Sequence, residues 1–370
     1  MRLRPFAMAV LFAGSLAGWC ACTSLREGPV DGVASPEAST EAGGDSGPMS
    51  PFSVIQALPA GEDFLAMWGA DAQHLFVVGT NGVHDDYSGG SWNRTQVVTG
   101  RDYFAVWGTS ASDVYAVGII QAGNKGVVQH FDGASWRDEY IADTALYGIW
   151  GAGDIVLAVG AGGMIYGKTA GGVAWAPRLS QGLPANPNVD AGPEAPILWS
   201  IAGNNVDNFA MAADVDRVFH YEGNGNFVNL DPAVDRTTDF LVAWAVPGPD
   251  TNVFFGSNYF GVSWLASASV VPVDLKDAAA GGDELIRLHE DQSLPNASSL
   301  FIRGIWGKSP KFVFVGDAGR IYLFDAALNA FTPVTSPVDM GTSLAGVWGS
   351  SANDVWIVGQ RESILHGTLP

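Results

Sequence analysis

The sequence predicts an all-β, seven-bladed β-propeller of four-stranded blades, with the ring closed by pairing of its N- and C-terminal strands. Three observations carry that prediction. An apolar strand built around a Trp-Gly pair recurs along the chain, most clearly at AVWGTSASDVYAVG (105–118) and GVWGSSANDVWIVG (346–359). After each polar turn a second apolar strand follows and ends in Gly, as in AMWGADAQHLFVVG (66–79), GIWGAGDIVLAVG (148–160) and GIWGKSPKFVFVG (304–316). Units of roughly 40–50 residues with four strand signals are the period of propeller blades.

From the N-terminus, Arg2 and Arg4 precede an apolar stretch that runs to about Trp19, and Cys20 and Cys22 follow. The stretch is too short to remain as a membrane span, so residues 1–22 read as a cleaved export signal. A signal ending at Cys is similar to bacterial lipoprotein signals; Ala21 before Cys22 suits lipidation there better than Trp19 before Cys20. The chain has no other cysteine, so no disulfide framework is expected in the mature domain. Residues 23–50 are rich in Gly, Pro, Ser, Ala and acid, with too little apolar surface to offset the entropy of ordering, and read as a disordered acidic tether. The propeller then occupies 51–370.

Seven tryptophans anchor the repeats: Trp68, Trp107, Trp150, Trp199, Trp244, Trp306 and Trp348. LWSIAGNNVDNFAMA (198–212) and AWAVPGPDTNVFFG (243–256) are the degraded copies. With the Trp-Gly strand as a and the next as b, a His- or Tyr-containing strand c and a strand d opened by Trp92, Trp136, Trp175, Phe227 or Phe331 complete each unit. The ring of Trp is expected to wedge between neighbouring sheets. The Gly after it is expected to supply a backbone angle for the a–b turn, and Asp113 and Asp354 to accept backbone N–H groups there. The last unit stops at its strand c, ESILHGTLP, while PFSVIQAL (51–58) is a spare strand ahead of the first unit. Pairing the two would remove an open sheet edge.

Composition narrows the function. A net charge of −20 with only 18 Lys plus Arg repels phosphate backbones, so nucleic-acid binding is not expected. His130, His220 and His366 recur at one strand position, which is inheritance of a repeat and not ligand spacing; no metal or cofactor is expected. No Gly-x-Ser-x-Gly elbow occurs.

The Trp-Gly-Ser-Ser…Asp-Val-Trp…Val-Gly units resemble those of bacterial exported β-propeller proteins, many of them lipoproteins. Segments such as HFDGASW (130–136) are more loosely similar to sialidase-type (BNR, Asp-box) propellers, although Asp132 and Gly133 are adjacent where that motif separates them. The resemblance covers about 51–370. It implies lipid anchoring at the outer membrane, facing the periplasm or the cell surface.

Function is expected on the face made by the b–c and d–a connections. Two long segments, about 176–197 and 266–300, read as d–a insertions, and DELIRLHED within the second reads as a short helix. Lys125, Arg217, Arg320 and Arg361 precede strand c in their units, with Tyr259 in the corresponding turn. They form a candidate ligand-binding ring for an anionic glycan or carboxylate; nearby Asp214, Asp216, Asp317 and Glu362 could instead neutralise them. The reading is a monomeric, non-enzymatic binding or scaffold protein of the bacterial envelope that recognises a protein or glycan. The alternative is a sialidase-like enzyme or lectin, which needs clustered arginines with a Tyr and a carboxylate.

Overall fold

The computed structural model describes residues 50–56, 61–169, 174–178, 195–214, 217–221, 223–225, 227–229, 240–246, 252–257, 263–266, 285–287, 301–308, 310–325, 327–328 and 330–370. The predicted signal, Cys20, Cys22, all but the last residue of the tether, Tyr259 and residues 179–194 lie outside them.

Among the described residues the strands form seven four-stranded antiparallel sheets, numbered here in chain order. The protein is a β-propeller. Six sheets are built from consecutive strands, with their a strands at Phe64–Asp71, Arg101–Ser110, Leu146–Ala152, Leu198–Asn205, Phe240–Val246 and Ile302–Lys308. The seventh takes strands a to c from Leu344–Ser351, Asp354–Gly359 and Ser363–Gly367, and its outer strand from Phe52–Gln56. Phe52 pairs with Gly367 and Val54 with Leu365, so the chain ends meet in one sheet. The a strands neighbour one another in a closed cycle, the seventh returning to the first.

Every sheet is covered on both faces by its neighbours, which explains why strand b is an unbroken apolar run. In Asp113–Ile120, Val114 and Ala116 pack with residues of sheet one, while Tyr115 and Val117 pack with residues of sheet three. Side chains that alternate along a strand therefore enter two different cores.

The Trp-Gly pair has a packing cause. A Cβ on Gly108 would lie 2.9 Å from the ring of Trp68, on Gly151 2.6 Å from Trp107, on Gly349 2.7 Å from Trp306 and on Gly69 2.8 Å from Trp348. Each indole thus lies on the glycine of the following sheet, across the ring closure as well. None of these glycines has a positive φ. The expected turn role of that Gly is corrected: it is needed because a neighbour's ring occupies the space of a side chain.

Trp199 does not belong to this set. In sheet three Trp150 pairs with Leu157 and Gly148 with Val159; in sheet four the equivalent partners are Ala202 with Ala210 and Ser200 with Ala212. Ala202 holds the anchor position, and Trp199 lies three residues ahead of it.

Asp113 and Asp354 also act differently from expectation. The Asp354 carboxylate accepts from Ser350 Oγ at 2.5 Å and Trp356 Nε1 at 2.9 Å, and faces His366 Nε2 at 2.8 Å. Asp113 receives the Thr109 hydroxyl and faces His130 Nε2 at 2.8 Å. Burial alone would raise the Asp113 pKa, and the Thr109 and His130 contacts outweigh it, leaving it below the ordinary carboxylate value. Each carboxylate ties strands a, b and c together. Asp354→Ala leaves three polar groups without their acceptor and is expected to cost about 2–3 kcal/mol, read as a lower urea midpoint with unchanged slope.

The long segment between sheets five and six is divided. Leu285–Arg287 is strand d of sheet five, paired with Ser263–Ala266, so the helix expected over DELIRLHED is replaced there by strand. The insertion expected over 266–300 is therefore interrupted by strand d at Leu285–Arg287.

Candidate functional site

The b–c and d–a connections share one face, and the a strands reach it through a repeated irregularity. In every sheet the pairing of a with b skips one residue near the start of a. Such a bulge turns the skipped side chain out of the alternation. The skipped residues in sheets one to five are Leu65, Phe104, Tyr147, Trp199 and Leu241, all apolar or aromatic; sheets six and seven place Arg303 and Ala345 there. The residue after the bulge is small in most sheets because the next a strand approaches closely. A Cβ on Gly148 would meet the Ser200 Cα at 3.0 Å.

Three of these side chains form a continuous aromatic arc across adjacent sheets. The rings of Phe104 and Tyr147 are 5.2 Å apart and those of Tyr147 and Trp199 are 4.7 Å apart. All three are partly exposed. Burial pushes the Tyr147 hydroxyl pKa up, so it stays a neutral hydrogen-bond donor at physiological pH. Among the described residues the Trp199 Nε1 has no hydrogen-bond partner. On the far side, Arg303 is bound by Asp317 at 2.5 and 3.3 Å and stands over the Phe301 ring.

The predicted cations are distributed around the same face. Lys125 pairs with Asp143 at 2.7 Å, and both are solvent-exposed. Arg217 is buried and pairs with Asp214 at 2.5 Å, its Nε also donating to the Asp214 carbonyl at 3.1 Å. Arg361 lies 3.6 Å from Asp339, and its backbone N–H donates to Asp63 at 3.1 Å. Arg320 donates its backbone N–H to Asp317. Of the acids expected to neutralise them, Asp317 binds Arg303 and Glu362 binds Arg94. Nor are the four equivalent in register. Arg217 and Arg320 use their carbonyls to close the end of strand b, while Arg361 occupies a left-handed position (φ 57°) that sheet three fills with Gly162 (φ 73°). No described contact joins any two of them.

Glu362, also left-handed (φ 52°), follows Arg361 and is buried at the ring closure. Arg94 Nη2 binds it at 2.8 Å while Arg94 Nε binds Asp85 at 2.6 Å, and Gln56 of the terminal strand donates to it. Asp85 first, then Glu362, hold the guanidinium pKa above its ordinary value against the cost of burial. This cluster joins sheets seven and one and is structural.

A nucleophilic triad needs a histidine that accepts the hydroxyl proton. At Ser350–Asp354–His366 the carboxylate itself receives the hydroxyl, so the arrangement staples strands and activates nothing. Among the described residues no three His, Cys, Asp or Glu are placed to hold a metal, and no helix is long and apolar enough to cross a membrane.

In the sequence a bulged residue looks like part of the alternation, which hides the aromatic arc. The signal was present: in YFAVWG, LYGIWG and LWSIAG a large ring precedes a small residue.

No family model matches the chain, and no curated protein matches it. Solved structures do. YCF48 from Cyanidioschyzon merolae superposes with a TM-score of 0.63 at 12% identity, covering 86% of this chain and 98% of that one. YCF48 bound to D1 peptide gives 0.62 at 14% identity, covering 87% and 98%. The WD40 β-propeller domain of Doa1 gives 0.59 at 13% identity, covering 85% and 96%. At these identities the likeness shows that the chain has the β-propeller fold.

Proposed function

We propose that this protein is a non-enzymatic binding protein of the bacterial envelope, exported and lipid-anchored through Cys22 or Cys20, which holds a protein segment against the b–c/d–a face of a seven-bladed ring. The observation that carries this reading is the Phe104–Tyr147–Trp199 arc. Aromatic side chains that are rigid, partly exposed and amphipathic are the residues that dominate binding energy at protein interfaces. The arc sits on the a strands of a rigid scaffold. YCF48, a propeller of the same fold, has been solved with a peptide bound, which supports a peptide rather than a small molecule as occupant. The anchoring rests on Arg2, Arg4, the apolar stretch and the two cysteines.

The test is capture from envelope extract by the immobilised protein, compared with the Phe104→Ala/Tyr147→Ala/Trp199→Ala variant. A protein retained by the parent and reduced at least ten-fold by the variant, about 1.4 kcal/mol or more, is the expected result. Equal retention by both removes the arc from the reading. Retention of polysaccharide in place of protein moves the assignment to a lectin.

A further inference from the structure

Sheets one and two meet across a seam that carries buried polar side chains beside its apolar cluster. On sheet one, strand Val83–Ser88 presents His84 and Asp86 to this seam, because their cross-strand partners Val78 and Phe76 belong to the core shared with sheet two. On sheet two, Gln129 pairs with Ala116 of the same core. Trp136 also belongs to that core, and its ring lies 4.6 Å from that of His84. Among the described residues, four buried atoms facing this seam have no hydrogen-bond partner: His84 Nε2, Asp86 Oδ1, Gln129 Oε1 and Trp136 Nε1. His84 is fully buried, and Gln129 is 2% exposed.

We infer that the seam between the first two sheets is a built hydration site, holding at least one internal water molecule between His84, Asp86, Gln129 and Trp136. The hydrogen-bonding capacities identify the ligand. His84 Nδ1 lies 3.2 Å from the Gly82 carbonyl and so carries the proton, which leaves Nε2 as an acceptor. Gln129 donates its amide to Asp138 at 2.9 Å, which leaves Oε1 as an acceptor. Asp86 Oδ1 is a third acceptor, and the Trp136 indole is a donor. A water has two O–H donors and two lone pairs, so one molecule serves two of these acceptors together with the indole. The His84 ring contacts Tyr103 and Trp136, each at 4.6 Å, so aromatic rings line the seam beside the four polar atoms. A buried water typically makes about three such bonds, and a buried polar group left unpaired is destabilising. The charged and titratable groups around the site are Asp85, Arg101, Tyr103 and Asp138.

The test is a crystal structure of the protein at a resolution where ordered waters are placed. A density peak within hydrogen-bonding distance of at least three of the four atoms is expected. A seam in which those side chains bond one another, with no such peak, overturns the inference. In solution, oxygen-17 relaxation dispersion of the folded protein is expected to lose one long-lived water in Gln129→Leu/Trp136→Phe. An unchanged dispersion amplitude in that variant also overturns it.

Discussion

Deleting residues 50–56 is expected to remove about 5 kcal/mol or more of stability, a large share of the roughly 5–15 kcal/mol that holds a typical domain together. The strand Phe52–Gln56 closes the seventh sheet, and Phe52 is 3% exposed, packed in a core that contains Trp306, Leu344 and Leu365. Losing a buried Phe side chain alone costs about 3–5 kcal/mol, and the strand's hydrogen bonds contribute about 1 kcal/mol net apiece. Gln56 also leaves Glu362, weakening the cluster that joins sheets seven and one. The deletion uncovers Ser363–Gly367 as an open edge, and uncovered edges pair with other chains. The urea midpoint should fall sharply, and light scattering should show concentration-dependent association. Phe52→Ala, which keeps the edge covered, should lose about 3–4 kcal/mol and remain monomeric. A deletion variant that stays monomeric within about 1 kcal/mol of the parent would show that closure at the chain ends does not hold the ring.

The propeller was legible because its rules are local and repeated. An apolar run ending in Gly is strand b wherever it occurs, since every sheet is buried on both faces, and the spare strand at 51–58 needed a partner that only the last unit lacked. What the sequence concealed were relations between sheets. That Trp68 rests on Gly108 and Trp348 on Gly69 depends on which sheet follows which, so the glycine was read as a turn residue when it is a place for a neighbour's ring. The bulge concealed the arc in the same way: skipping one residue leaves composition unchanged but reorients Phe104, Tyr147 and Trp199. Trp199 imitates an anchor in the sequence because sheet four has Ala202 at the position where the other repeats carry Trp. The cations fall at different positions before strand c: Arg361 lies two residues ahead of Ser363 in a left-handed turn position, whereas Arg320 immediately precedes Ile321. The His84–Asp86 seam gave no sign in sequence, since VHDDYS reads as an ordinary polar strand until sheet two covers it.

That seam should make the protein's pH response separable into two opposing parts. Burial first of all depresses the His84 pKa to about 4, with the Arg101 charge adding to it and the Gly82 contact opposing it. Burial first of all raises the Asp86 pKa to about 7, helped by the Asp85 charge and opposed by a hydrogen bond from Thr95. The ordinary values are 6.5 and 3.8. Between about pH 4 and 6.5 the unfolded chain carries a proton on His84 that the folded chain lacks, so this residue makes stability rise with pH. Between about 3.8 and 7 the folded chain carries a proton on Asp86 that the unfolded chain lacks, so this residue makes stability fall with pH. Each slope is about 1.4 kcal/mol per pH unit, and over the shared window they cancel. Asp86→Asn removes the falling part: its stability relative to the parent should increase as pH rises from 4 to 7, a change of up to about 4 kcal/mol that is complete by pH 8. His84→Gln removes the rising part, so its stability relative to the parent should increase as pH falls from 6.5 to 4. Urea titrations of the three proteins at pH 4.5, 6 and 8 measure this. Variants whose stability differences from the parent do not change with pH, or change in the same direction, would show that neither residue is held away from its ordinary protonation by the seam.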